Sequence, residues 1–71
     1  MKTISLKDFK HDGELINLEN FSIPYEKLII NPSLYLDKNK KYYFYCKNGY
    51  KSRKVVSMLE LNGYNVIRVI N

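Results

Sequence analysis

Residues 41–70 read KYYFYCKNGYKSRKVVSMLELNGYNVIRVI, and this stretch decides the fold of the chain. It opens with residues 41–45, which are rich in aromatic side chains and therefore favour a β-strand. No charged residue alternates with these aromatics, which is typical of a strand that is covered on both faces, as in a parallel sheet. We therefore predict a buried parallel strand at 41–45.

The residues after this strand have the spacing of an amphipathic helix. Beyond a loop at 46–51, apolar side chains recur three and four positions apart. Gly63 then suits the left-handed conformation that ends many helices, and the β-branched run at 65–70 predicts another strand. Strand, loop, helix and strand make a βαβ unit, which is right-handed in almost all proteins. The helix residues predicted to lie in the core are Val55, Val56 and Leu59.

The first forty residues predict shorter elements. Ser5 is placed to cap a one-turn helix, with Asp8 in the position of an acidic capping box. Pro32 interrupts a later helix, because the residue before a proline avoids the helical conformation. The predicted elements are a strand at 3–5, a helix at 6–9, a strand at 14–18, a helix at 25–30 and a looser turn at 32–36.

Length and composition restrict the class of protein. Seventy-one residues make one domain, so we predict a single α/β domain over 1–71 with four short strands and two or three helices. Hydrophobic residues at 45% and charged residues at 27% are ordinary globular usage, which argues against disorder. No apolar run approaches the roughly 20 residues of a membrane span, and no signal-peptide core follows the start. We therefore expect a cytoplasmic protein that does not enter the membrane.

The net charge of +5 favours anionic partners, through an attraction that weakens with salt. Cations and aromatics gather in the middle of the chain, so a nucleic-acid binder whose tyrosines stack on bases is one alternative. The tyrosines concerned belong to the predicted strand at 41–45, where we expect aromatic rings in the core. We therefore do not expect nucleic acid as a partner.

Cysteine and histidine each occur once, as Cys46 and His11. A single cysteine cannot form an internal disulfide, and these two residues fall short of the four ligands of a structural zinc site. His11 lies in a polar turn, where we expect it at the surface. The sequence thus predicts neither a disulfide nor a bound metal.

Cys46 follows the predicted buried strand and precedes a helix, and ligands bind at that edge of open α/β sheets. Loop N–H groups and the helix dipole favour negative charge there, and Lys47 and Lys51 add positive charge. All of these favour a thiolate over a thiol, and they predict a sulfur nucleophile that faces an anionic substrate. The alternative is a small buried hydrophobe without a chemical role.

Residues 46–52, CKNGYKS, resemble the active-site loop of rhodanese-like domains, whose pattern is Cys-x-x-Gly-x-Arg-Ser after an aromatic strand. The helix and strand that follow, up to residue 70, match the same fold, and residues 15–17 with 22–25 resemble its Ala-Ile-Asn-Ile-Pro-Tyr segment. The resemblance implies a small rhodanese-like fold, with a short, mostly parallel sheet flanked by helices.

The same resemblance implies a sulfurtransferase that uses neither a metal nor an organic cofactor. Cys46 would take a sulfane sulfur from thiosulfate or another persulfide donor, and would pass it to cyanide or a thiol acceptor. This is covalent nucleophilic catalysis, which divides one hard transfer into two easier ones. The residues implied to bind the substrate are Lys47, Asn48, Gly49, Tyr50, Lys51 and Ser52.

The sequence departs from the family pattern at Lys51, where the family has an arginine that can grip an oxyanion with two hydrogen bonds. The family's Asp-x-Arg strand end and the helix after its last strand have no counterpart either. A non-catalytic module that binds a protein partner or a small anion therefore stays open. A phosphatase loop, Cys-x5-Arg, fits poorly, because its arginine would fall at Ser52 and Arg53 is one residue late.

The missing segments also affect how the sheet is covered. With less chain available, one face of the strand at 41–45 or of the strand at 66–70 should be incompletely covered. Exposed apolar surface of that kind usually marks an association site. We expect self-association or a protein partner at that face, with the Cys46 loop left open at the strand ends.

Overall fold

The elements of the fold alternate along the chain largely as the sequence predicts, in a computed structural model that describes residues 1–47 and 49–71. The strands in these residues are β1 at Thr3–Ser5, β2 at Glu14–Asn17, β3 at Lys41–Tyr45 and β4 at Asn65–Ile70. The α-helices are α1 at Tyr25–Ile30 and α2 at Tyr50–Leu61, and short 3₁₀ turns occupy Leu6–Asp8 and Pro32–Leu34. The predicted α/β class is confirmed.

The strands form one parallel sheet in the order β1-β4-β3-β2. Strand β3 lies beside both β2 and β4, with Phe44 level with Ile16 on one side and with Arg68 on the other. A strand in this position is covered by neighbours at both edges and by packing on both faces, which explains its continuous aromatic sequence. Because all strands run the same way, their carboxyl ends share one edge of the sheet.

Both helices pack on one face of the sheet and enclose the larger core. Val55, Val56 and Leu59 of α2 have no exposed surface, as the helical spacing predicts. Burial of apolar area at about 25 cal/mol per Å² is the main force that holds α2 on the sheet. The cluster consists of Ile16, Leu18, Leu28, Leu36, Tyr42, Phe44, Cys46, Val55, Val56, Leu59, Tyr64 and Val66.

The second face of the sheet carries a smaller core of Tyr43, Ile67 and Val69. The segment after β1 folds over it, and the ring of Phe9 meets the ring of Tyr43 edge-on at 4.7 Å between centroids. The predicted gap in the cover of β3 or β4 is wrong for their central residues, because the side chains at 42–44, 66, 67 and 69 are at most 6% exposed. Partial cover is found instead at Leu15 on the edge strand β2, which is level with Tyr43 and 39% exposed. Self-association through this face stays a prediction, which sedimentation at micromolar concentration would test.

Tyrosines 42 and 43 are core residues, as expected for a strand packed on both faces. Tyr42 is 4% exposed and Tyr43 is 2% exposed, on opposite faces of the sheet. Rings buried to this extent present no surface on which nucleic-acid bases could stack.

Helix α2 is bounded at both ends by glycines in the left-handed conformation. It begins at Tyr50, after Gly49 with a φ of 78°, so the loop is shorter than the predicted 46–51. It ends where Gly63, with a φ of 86°, donates its N–H to the Glu60 carbonyl oxygen, as predicted. Glycine adopts such backbone angles without the steric cost that other residues pay.

The predicted cap at Ser5 takes another form. The turn after β1 is a 3₁₀ turn, and no side chain caps its N–H groups. Ser5 Oγ instead donates to the Asp8 carboxylate at 2.9 Å. A turn this short has few unpaired N–H groups to satisfy, so the two side chains bond to each other.

No helix in the described part of the chain combines the length and the apolar character that a membrane crossing requires.

Candidate active site

Cys46 lies directly after β3, at the edge of the sheet where the strands end. Its side chain is 2% exposed and belongs to the core between the sheet and the helices. The thiol therefore sits at the boundary between that core and the loop that leads into α2. Ligands bind at this edge of α/β sheets. The structure therefore places Cys46 at the edge where the sequence predicts it.

The sulfur of Cys46 accepts a hydrogen bond from the first turn of α2. The backbone N–H of Ser52 points at Sγ, with 3.1 Å between nitrogen and sulfur. The Ser52 hydroxyl lies 3.4 Å from Sγ, where it accepts from the thiol, and it donates to the Gly49 carbonyl oxygen at 3.3 Å. A hydroxyl can rotate to become a donor, so two hydrogen-bond donors are available to a thiolate at this position.

Gly49 shapes the loop around the sulfur. Its N–H donates to the Cys46 carbonyl oxygen at 3.3 Å, which closes a tight turn. A Cβ atom at this position would lie 2.8 Å from Nη2 of Arg68, on a backbone whose φ of 78° already disfavours any side chain. The backbone angle therefore favours glycine, and a Cβ here would also push the Arg68 guanidinium out of its position.

Arg68 is a residue of the site that the sequence analysis missed. It lies in β4 level with Phe44, and its Nη2 donates to the Gly49 carbonyl oxygen at 3.2 Å. Its Nε is buried and has no hydrogen-bond partner among the described residues. A buried donor without an acceptor costs about 1–3 kcal/mol, and more on a charged group. The available signal was a charged side chain inside the otherwise apolar run of β4.

A small concavity of about 160 Å³ opens beside the sulfur. It is lined by Cys46, Lys47, Gly49, Arg68, Ile70 and Asn71. Among the described residues that line it, two side chains are cationic and none is acidic, so these side chains favour an anion. Its volume holds about five waters at roughly 30 Å³ each, which suits a small ion rather than a peptide.

Lys51 and Tyr50 point elsewhere. Lys51 Nζ lies 3.8 Å from a carboxylate oxygen of Glu19, and 5.9 Å from the ring centroid of Tyr25. Tyr50 is exposed and borders a separate surface groove with Arg53. Neither residue lines the concavity beside Cys46, and their predicted roles in substrate binding stay predictions.

Glu19 is the second residue that the sequence analysis missed. Besides its ion pair with Lys51, it accepts a hydrogen bond from the backbone N–H of Lys47 at 3.3 Å. The carboxylate thereby holds the loop backbone at Lys47 and offsets the positive charge of Lys51. The predicted site residue Asn48 lies outside the described residues.

The opposite end of β3 carries a closed cluster of charged and polar groups. Asp12 accepts hydrogen bonds from Lys41 Nζ at 2.8 Å and from the Tyr43 hydroxyl. These two bonds, that of Lys41 first, lower the pKa of Asp12 from 3.8 to about 2. The same contact with Asp12 raises the pKa of Lys41 above its ordinary 10.5.

His11 lies on the surface, as predicted. It is exposed, and its ring packs on Phe9 at 4.4 Å between centroids, beside the smaller core. Cys46 belongs to the core on the other face of the sheet. Within residues 1–47 and 49–71, no three His, Cys, Asp or Glu side chains come together in a way that could hold a metal ion.

Solved structures share this arrangement of elements. A rhodanese-related protein from Thermoplasma volcanium superposes with a TM-score of 0.82 at 21% sequence identity, over 100% of this chain and 85% of the other. A protein from Staphylococcus saprophyticus gives a TM-score of 0.82 at 26% identity, over 100% and 88%. The fold is rhodanese-like. No protein-family model matches the sequence, and neither does any curated protein.

The rhodanese-like fold confirms the architecture that residues 41–70 predict. In this chain, the fold places Cys46, the first turn of α2 and Arg68 together at the carboxyl edge of the sheet. The arrangement contains a thiol with a backbone N–H directed at its sulfur, next to a space whose described side chains favour anions. Such a site can form a covalent bond from sulfur to a small anionic substrate.

Proposed function

We propose that the protein is a sulfurtransferase that moves a sulfane sulfur through a persulfide on Cys46. The observation that carries the proposal is the hydrogen bond from the Ser52 N–H to Cys46 Sγ at the carboxyl edge of a rhodanese-like sheet. An N–H from the first turn of a helix stabilises sulfur in its anionic form, which is the nucleophilic form. The likeness to a rhodanese-related structure supports the fold in which this site lies.

In the first half-reaction, the Cys46 thiol releases its proton to solvent, and the thiolate attacks the outer sulfur of thiosulfate. A bond forms between Sγ and that sulfur, while the sulfur–sulfur bond of thiosulfate breaks. Sulfite leaves with the electron pair. The product is a Cys46 persulfide anion, so charge is conserved from thiolate onward and no external oxidant or reductant is consumed.

In the second half-reaction, cyanide or a thiolate attacks the terminal sulfur of the persulfide. The new bond forms between the acceptor and that sulfur, the bond to Sγ breaks, and Cys46 returns as a thiolate. Thiocyanate or an acceptor persulfide is released. The Ser52 N–H can donate to Sγ at the beginning and at the end of this cycle, when the sulfur is a thiolate.

One observation favours the alternative, a non-catalytic module that binds an anion or a protein partner. Cys46 is 2% exposed, so a donor reaches the sulfur only through the concavity, or after a small shift of the loop. In the module, the same concavity would bind an anion without reacting with it.

Intact-protein mass spectrometry after incubation with thiosulfate separates these functions. The sulfurtransferase gains the mass of one sulfur atom and loses it again when cyanide is added. Cys46→Ser, the matched control, gains nothing. A folded wild-type protein that takes up no sulfur from thiosulfate or from an organic polysulfide would contradict the proposal. The non-catalytic module would then be the remaining candidate function.

A further inference from the structure

The concavity beside Cys46 contains a positive charge that the described chain does not balance. Arg68 and Lys47 line it, and none of the salt bridges among residues 1–47 and 49–71 involves either of them. The charge of Lys51, by contrast, is offset by Glu19. Lys47 is exposed, whereas Arg68 is partly buried and its Nε is fully buried. A partly buried guanidinium without a carboxylate partner in the described chain is unusual, because buried charges are ordinarily paired.

We propose that Arg68 selects the sulfur donor, by binding the sulfonate oxygens of thiosulfate or a similar small sulfur oxyanion while its outer sulfur faces Cys46. The inference rests on the proposed sulfur transfer and specifies its substrate class. It assigns oxyanion recognition to a residue of β4 rather than to the loop between β3 and α2.

The position of Arg68 suits this role. Its bond from Nη2 to the Gly49 carbonyl oxygen holds the guanidinium against the loop that carries Cys46. An arginine held in this way is already oriented, so less freedom is lost when an anion binds. The planar guanidinium also matches the oxygens of an oxyanion better than the point charge of a lysine does.

Arg68 would also assist the bond that breaks. As the sulfur–sulfur bond of thiosulfate opens, the leaving group becomes a sulfite dianion and negative charge on its oxygens increases. A cation fixed beside those oxygens stabilises this charge without having to reorganise. A donor whose leaving group is a thiolate rather than an oxyanion has no such oxygens for the guanidinium to bind.

Alkylation of Cys46 tests the anion site without any sulfur chemistry. Iodoacetate is anionic and iodoacetamide is neutral, and both react with the thiolate, so the ratio of their rates cancels any change in thiolate content. In Arg68→Met the ratio of the iodoacetate rate to the iodoacetamide rate should fall about tenfold. Loss of a hydrogen bond to a charged group typically weakens binding by about that factor. Arg68→Lys, which retains the charge, should keep most of the ratio.

Arg53→Met is the matched control. Arg53 is exposed on α2 and borders the groove beside Tyr50 rather than the concavity of Cys46, so its loss changes the net charge equally. Its rate ratio should equal that of the wild type. Arg68→Met keeps an apolar stem and removes the unpaired Nε, so it should fold. Circular dichroism checks this, and Arg68→Gln replaces it if it does not.

Sulfur uptake supplies the second arm. Arg68→Met should lose about tenfold in uptake from thiosulfate. It should lose much less in its reaction with a neutral organic trisulfide, in which the Cys46 thiolate displaces a thiolate and the rest of the donor stays on Cys46 as a covalent adduct. An unchanged alkylation ratio would overturn the role of Arg68 whether or not sulfur is transferred, and an equal loss with both donors would overturn donor selection. If the wild type takes up no sulfur at all, the proposed function fails, and the alkylation ratio still decides whether Arg68 binds anions.

Discussion

The two ends of strand β3 hold positive charge in different ways. At its start, Lys41 is paired with Asp12, which also accepts from the Tyr43 hydroxyl, so every group has a partner. At its end, Arg68 from the neighbouring strand lies beside Cys46 with no carboxylate partner in the described chain. A matched cluster is complete without a ligand, whereas an unmatched cation next to a nucleophile has capacity left for an anion.

At the carboxyl end, a carboxylate balances some of the positive charges and leaves others without a partner. Glu19 pairs with Lys51 and accepts a hydrogen bond from the backbone N–H of Lys47. Arg68 lies next to the sulfur. Lys51 is thus paired, whereas Arg68 and Lys47, which line the concavity, have no salt bridge among the described residues, and the variants below compare Arg68 with Lys51.

The largest effect is expected at the carboxyl end, from Cys46→Ser. Sulfur uptake from thiosulfate should be abolished, because a serine hydroxyl is not ionised at neutral pH and forms no persulfide. Intact mass checks this. His11→Asn on the other face of the sheet should take up sulfur like the wild type, and uptake by Cys46→Ser would place the reacting group elsewhere.

A second comparison uses the two left-handed glycines that bound α2. Gly49→Ala and Gly63→Ala should each lower the free energy of unfolding by about 1–2 kcal/mol, because both force alanine into the left-handed region. Only Gly49→Ala places a Cβ 2.8 Å from Arg68, whereas the nearest atom at Gly63 is 3.7 Å away.

Urea unfolding should therefore show similar losses for the two variants, or a larger one for Gly49→Ala. The rate of Cys46 alkylation should change in Gly49→Ala alone. If Gly63→Ala altered that rate equally, the effect would be one of general stability, and the Gly49–Arg68 contact would not position the loop.

The matched cluster at the other end predicts a pH dependence of stability. The pKa of Asp12 is lowered to about 2 in the folded chain, so its ionised form is favoured by folding. The stability it contributes is present above about pH 4 and is lost as the pH falls through about 2. Thermal unfolding between pH 4 and pH 2 should show a shallower fall in Tm for Asp12→Asn than for the wild type.

The contribution of Lys41 to stability changes at alkaline pH, and it changes with pH in the opposite direction. Its pKa is raised above 10.5 by Asp12, so its contribution is complete below that pH and is lost as the pH rises through the folded value. Sulfur uptake at neutral pH should be the same in Asp12→Asn and in the wild type. Identical acid profiles for the two proteins would show that the cluster does not stabilise the fold.

The smallest effect is expected from Lys51→Met. An exposed ion pair such as Lys51–Glu19 contributes about 0–1 kcal/mol, and its loss leaves Arg68 in place. The ratio of iodoacetate to iodoacetamide rates should change less than in Arg68→Met, by no more than about fivefold. A larger change in Lys51→Met than in Arg68→Met would show that the loop, rather than Arg68, recognises the oxyanion.

Much of the architecture could be predicted from local sequence because its signals are local. Residues 41–45 have the pattern of a buried strand. The apolar spacing of α2 and the left-handed glycine at its end are likewise patterns among residues that are close in sequence. The start of α2 was misplaced because its first turn is polar and carries no periodic apolar signal. The cap at Ser5 was misread because side-chain partners in a single turn compete with the backbone.

The sequence by itself determined the α/β class, the βαβ unit and the position of Cys46 before a helix, since strand, turn and helix preferences depend on near neighbours. Only the tertiary structure decided which cations meet the sulfur. Arg68 reaches Gly49 because β4 pairs with β3 in a register that sets Phe44 level with Arg68. Glu19 reaches Lys47 and Lys51 across even longer gaps in sequence. Such contacts depend on how the whole sheet packs, and no local pattern records them.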